Sequence, residues 1–126
     1  MDFLSHISFP VSDFNKSLEF YDAVLGELGH SRVYTGEYGA GWGRSTGKEV
    51  FEIKKSIDQV SIPSSGFHLA FHANKREEVH LFYEQALKHG GMDNGAPGPR
   101  PTYGKDYYAA FVIDPDGYEL EVNLFV

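Results

Sequence analysis

The chain has 126 residues, no cysteine and a formal net charge of −7, a size that suits one domain able to bury its own core without staples. Lack of cysteine excludes disulfides, thiolate metal sites and a cysteine nucleophile, and it agrees with a reducing cytoplasm as the expected compartment. The acidic balance, with no basic cluster beyond Lys54-Lys55 and Lys75-Arg76, argues against a nucleic-acid partner; apolar runs of only about five residues argue against a membrane span, and Asp2 stands where a secretory signal would be basic.

In chain order, FLSHISF at 3–9 alternates with period two and predicts a strand. Pro10 punctuates it, and Ser12 or Asp13 is a candidate N-cap. Phe14, Leu18, Tyr21, Leu25 and Leu28 then form one apolar stripe, so a helix is expected over 14–28, closed by Gly29. Aromatic and β-branched residues between glycines predict three short strands at 31–38, 40–45 and 48–55. Residues 56–65 read as a linker. The second half repeats the order: a strand at 67–73, a helix at 75–89 closed by Gly90-Gly91, a Pro/Gly loop at 93–101 and a strand at 107–114. Asp114-Pro115-Asp116-Gly117 then makes a turn, and a last strand runs over 118–125. The fold class expected is α+β, built from βαβββ twice. Strict strand–helix alternation, which a doubly wound parallel sheet needs, is absent.

The halves also share letters. HISF from His6 recurs as HLAF from His68, Phe20-Tyr21 as Phe82-Tyr83, Leu25 as Leu87 and Gly29 as Gly91, always 62 positions apart. This predicts a duplicated module, the first at about 1–60 and the second at about 66–126, with equivalent histidines facing one shared site. Imidazole is the commonest transition-metal ligand, and two on neighbouring strands can meet one ion. His30, His72, His80 and His89 are expected at the surface. Glu52 alternates out of an apolar strand, facing either solvent or a lined pocket. Glu119 and Glu121 share one face of the last strand.

These residues carry a resemblance to the vicinal oxygen chelate superfamily, which includes glyoxalase I, extradiol dioxygenases, fosfomycin-modifying enzymes and bleomycin-binding proteins. The matching pieces are His6, Val11 and Asp13 before a helix with Phe20, Tyr21, Leu28 and Gly29; His68 opening the second module; and the closing DPDGYELE, whose last glutamate is Glu121. The stretch from Pro97 to Gly117 is most similar to small members with no assigned reaction. The resemblance implies paired βαβββ modules forming a concave mixed sheet. It also implies one divalent metal held by His6, Glu52, His68 and Glu121, with Glu49 the nearest alternative to Glu52. Four N/O ligands suit zinc, nickel, cobalt, manganese and iron alike.

The function implied is a metal-dependent lyase or isomerase resembling glyoxalase, acting on a small substrate that chelates the metal through vicinal oxygens. Glu52 and Glu121 would be the catalytic carboxylates. The alternatives are a metal-free binding protein like the bleomycin-sequestering members, a ring-cleaving dioxygenase, or a thiol transferase. A homodimer is expected, with the possibility that the ligands come from two chains. Trp42, Tyr103, Tyr107 and Tyr108 are candidates to shape the substrate pocket; core or edge packing is the other reading, preferred for Trp42 and for at least one of Tyr107 and Tyr108. Arg100, in the Pro/Gly loop, either clamps a substrate anion or is solvated.

Overall fold

A computed structural model describes residues 3–125; the Asp2 reading and the outermost ends of the two modules, at residues 1, 2 and 126, lie outside the described residues. In the first half, β1 (Ile7–Val11) runs parallel to β4 (Glu49–Lys55). Antiparallel β3 (Gly39–Gly43) and β2 (Ser31–Thr35) complete a four-stranded sheet in the order β1-β4-β3-β2. Helix α1 (Phe14–Gly26) starts where the Asp13 side chain accepts from the backbone N–H of Lys16 at 3.1 Å. It stops where Gly29 takes a φ of +85° and His30 N–H returns to the Leu25 carbonyl.

The second half repeats the plan with one elaboration. Strand β5 (Leu69–His72) runs parallel to β9 (Glu119–Leu124), which pairs antiparallel with β8 (Tyr108–Ile113). The expected loop at 93–101 contributes two two-residue strands along β8, β6 (Met92–Asp93) and β7 (Gly98–Pro99). Helix α2 (Arg76–Lys88) ends before Gly90, at φ +97°.

The first strand differs from expectation. It begins at Ile7 and runs through Pro10 to Val11. Proline is tolerated because β1 is an edge strand, paired only with β4, so the missing N–H breaks no second ladder. His6 and His68 consequently stand just before their strands, not in the middle of them.

Both helices pack on one face of the sheets and against each other. The core between them is aromatic. Phe51 meets Tyr21 at 4.6 Å between ring centroids and Phe71 of the other half at 5.7 Å, and Phe9 stacks on Tyr118 at 4.3 Å. Trp42 belongs to this core, which corrects the pocket reading. It is 0% exposed on the helix-facing side of β3, and its indole N–H donates to Asp22 at 2.9 Å. Only glycines 39, 41 and 43 occupy the opposite face of that strand.

The closing turn joins the halves. The buried Asp114 accepts through Oδ1 from the backbone N–H groups of Asp116, Gly117 and Tyr118, and through Oδ2 from the Tyr21 hydroxyl at 2.5 Å. Asp116 Oδ1 accepts from the backbone N–H and hydroxyl of Ser12, and the Tyr118 hydroxyl donates to the Pro10 carbonyl at 2.7 Å. Burial raises the pKa of Asp114 despite these donors. Because the folded value lies above the unfolded one, its contribution to stability is fully present below the unfolded value. It is lost as pH rises through the folded value.

Tyr21→Phe, which leaves one carboxylate oxygen of Asp114 buried without its donor, is expected to cost about 1–3 kcal/mol at neutral pH. The loss should shrink as acid protonates Asp114. Urea unfolding at pH 7 and at acid pH checks this against Tyr83→Phe. That sequence-equivalent hydroxyl bonds only the surface Asp93, and its removal should cost less. Equal losses would contradict the linking role.

Candidate functional site

On β9, Glu121 faces away from the helices, directly opposite Ala70 of β5. His68 stands two residues before Ala70, and its Nε2 lies 3.0 Å from Glu121 Oε1. Glu121 is only 3% exposed. Its second oxygen, Oε2, accepts from the Tyr107 hydroxyl and from Asn123 Nδ2, the latter at 3.0 Å. Asn123 Nδ2 also reaches the Tyr107 oxygen at 3.0 Å, closing a triangle. Burial first, and the Glu121 contact second, push the Tyr107 phenol up to about 12. It therefore keeps its proton, and its role as donor, at neutral pH. The Tyr107 ring lies parallel to Phe125 at 5.3 Å and edge-on to Tyr103 at 5.4 Å, so an exposed aromatic wall rises beside the carboxylate.

The first half holds a matching pair. Glu52 lies directly opposite Ser8 of β1, and His6 stands two residues before Ser8. His6 is exposed, with Nδ1 3.0 Å from the Ser5 hydroxyl. The Glu52 side chain, 17% exposed, meets Lys54 Nζ at 3.2 Å. Gly41, opposite Glu52, supplies the space. A Cβ there would fall 2.7 Å from Glu49 Cγ and 3.4 Å from Glu52 Cγ. The bulge between Trp42 and Gly43 brings Glu49 to that same spot, so both acids weighed from sequence lie over one glycine floor.

One chain does not gather all four expected ligands. His68 and Glu121 meet; His6 and Glu52 lie on the other sheet, and among the described residues no three His, Asp or Glu side chains cluster to hold a metal. The other candidates separate as well. Arg100 donates to the carbonyls of Ala96, Gly98 and Pro99 and sits over the Phe111 ring, so its guanidinium is spent on shaping its own loop. Tyr108 is buried, with its hydroxyl 2.6 Å from His80 Nε2 and its ring under Arg76. Tyr103 is 64% exposed at the outer end of the aromatic wall. His72 and His80 are at the surface. His89 is half-buried, with Nδ1 2.9 Å from the Gln85 carbonyl. His30, also half-buried, departs from expectation with His89: burial and the neighbouring Arg44 lower the pKa of His30. Asn123 escaped the sequence reading, although it follows Glu121 by two residues and so shares its face.

The donors fit a divalent ion. A nitrogen and a carboxylate oxygen 3.0 Å apart have the separation of adjacent ligands with metal bonds of about 2.1 Å. In the free chain these two atoms lie within hydrogen-bond distance of each other; a cation can take the place of that contact. A histidine and a glutamate per half, with a basic oxygen over an open glycine floor, can bind vicinal oxygens and move a proton beside them.

A family model described as the glyoxalase/bleomycin resistance protein/dioxygenase superfamily matches residues 3–122. A probable lactoylglutathione lyase from Synechocystis is 31% identical, over 95% of this chain and 93% of that protein. The metallothiol transferase FosB of Staphylococcus epidermidis is also 31% identical, over 95% of this chain and 80% of its own. A crystal structure of a glyoxalase/bleomycin resistance protein from Albidiferax ferrireducens superimposes with a TM-score of 0.86 at 28% identity, covering 98% of this chain and all of that one. No helix of the described residues is long and apolar enough to cross a membrane. With the paired modules and their matched acids, these similarities place the chain in the glyoxalase/bleomycin resistance protein/dioxygenase superfamily.

Proposed function

We propose that the chain is a metal-dependent lyase or isomerase resembling glyoxalase, working as a homodimer in which each site joins the first half of one copy to the second half of the other. The observation that carries this reading is the matched placement of the two half-sites. In each half a histidine stands two residues before the strand position that faces a glutamate, His6 with Glu52 and His68 with Glu121. Neither pair is a complete ligand set, and the two pairs do not meet within one chain. A twofold pairing satisfies both at once.

His6, Glu52, His68 and Glu121 would hold the ion, which when bound supplies Lewis acidity toward a developing oxyanion. The chain's residues do the rest. His68 and Glu121 orient the site, the Tyr103–Tyr107–Phe125 wall shields it from water, and the Glu52 carboxylate moves a proton between neighbouring carbons of the substrate. A lactoylglutathione-type substrate, named by the Synechocystis relative, carries the required pair of oxygens on adjacent carbons. The FosB relative, at the same identity, supports thiol transfer as the second reading. A lyase of this kind interconverts the thioester with the isomeric hemithioacetal of a thiol and a 2-oxoaldehyde by internal proton transfer, whereas a transferase joins a thiol to a separate electrophile.

Purified without affinity-tag metal, the protein is expected to bind one divalent ion per chain. Glu52→Gln and Glu121→Gln should each weaken binding by at least about 10–100-fold. If only Glu121→Gln does so, a two-histidine, one-carboxylate site replaces the four-ligand reading. A chain that takes up no added metal is a metal-free binder.

Mixing His6→Ala with His68→Ala tests the shared site. Each variant alone should be inactive. Subunit exchange should restore about a quarter of the wild-type activity, because half the dimers regain one intact site of two. No recovery after verified exchange would place the whole site within one chain.

A further inference from the structure

The two glutamates occupy equivalent register positions, yet they are held differently. Glu52 touches Lys54, two residues on, whose ammonium is half-exposed. Glu121 touches Asn123, also two residues on, but this partner is 5% exposed and is joined by the Tyr107 hydroxyl on the same carboxylate oxygen. Oε1 is left facing His68 alone. We propose that Tyr107 and Asn123 are positioning residues that hold Glu121 by Oε2, so that it offers a cation one oxygen rather than two. This deepens the metal reading proposed above and rests on it.

The amide orientation supports the assignment. Asn123 Oδ1 is buried with no hydrogen-bond partner among the described residues. Turning the amide over would place Oδ1 against Glu121 Oε2, two acceptors facing each other with no proton between them. The amide nitrogen must therefore face the carboxylate, and the chain tolerates an orphaned buried acceptor to keep it there. The Tyr107 hydroxyl has its direction set the same way. It accepts from Asn123 Nδ2, so its own proton points to Glu121. The ring is fixed independently by Phe125 and Tyr103, so the hydroxyl can be removed without freeing the side chain. Among the described residues nothing comparable holds Glu52. Its oxygens meet one flexible ammonium over a glycine floor, which leaves it the freer of the two to change partners.

The test uses Co²⁺ and the full chain. Tyr107→Phe keeps the ring stack, and Asn123→Leu removes the amide at similar volume. Each variant should weaken Co²⁺ binding by about 10–100-fold, the usual effect of losing a group that orients a ligand. Each should also lower the intensity of the visible cobalt bands, because a released Oε2 can join the ion and raise its coordination number. The double variant should lose little more than either single one, since both residues act on the same oxygen. Wild-type affinity and an unchanged spectrum in both single variants would overturn the positioning role while leaving the metal reading standing. Weakened affinity with an unchanged spectrum would assign these residues a merely structural role, and so overturn the proposal too. A wild-type chain that binds no cobalt or other divalent metal overturns both readings together.

Discussion

One buried carboxylate, Asp114, lies at the junction on which the rest of the structure depends. It gathers three backbone N–H groups into the last turn and receives the hydroxyl of Tyr21 from the far half of the chain. Buried carboxylates are costly unless their lone pairs are filled, and here four donors fill them. The same turn presents Asp116 to Ser12 and delivers Tyr118 to the Pro10 carbonyl and the Phe9 ring. These contacts fix the edge strand β1 to the start of β9. Each of those strands leads to a half-site, so the latch also sets how the half-sites are spaced. Tyr21 and Tyr83 match in sequence but not in role, because only Tyr21 reaches across the halves; Tyr83 turns to Asp93 beside its own helix.

Local pattern made much of this legible. Helix stripes, the Asp13 cap, the glycine stops and the Asp114–Gly117 turn all rest on contacts within four or five residues, which periodicity and turn chemistry report directly. The offset of 62 holds from Ile7 and Leu69, where the first strands begin, through two helices of 13 residues each. It fails toward the acids. His6 to Glu52 spans 46 residues and His68 to Glu121 spans 53, the excess falling where β6, β7 and their loops were added. Only the strand register recovers the equivalence of the glutamates.

Two features turn on neighbours that local sequence does not show. Pro10 ends a strand that has neighbours on both sides, and sequence cannot say that β1 has only one. Trp42 alternates with glycines, a pattern that fixes opposite faces without saying which is buried; the absent side chains, not the indole, mark the site side. Arg100 illustrates a different limit. An arginine among prolines and glycines suits an anion clamp, but carbonyls of its own loop lie within reach of the guanidinium, and three of them take it.

The two halves face a shared problem of charge. In the proposed dimer, Glu52 of one copy approaches Glu121 of the other in a chain already at −7. Two like charges about 4 Å apart repel by about 4 kcal/mol at an effective dielectric of 20. Local donors offset part of this, Lys54 on one side and Tyr107 with Asn123 on the other. A divalent cation between the carboxylates reverses the sign of the remainder. Anything that binds the paired state and not the separate chains strengthens the pairing by mass action. In the proposed dimer, association and cation binding then become one linked equilibrium, each strengthening the other.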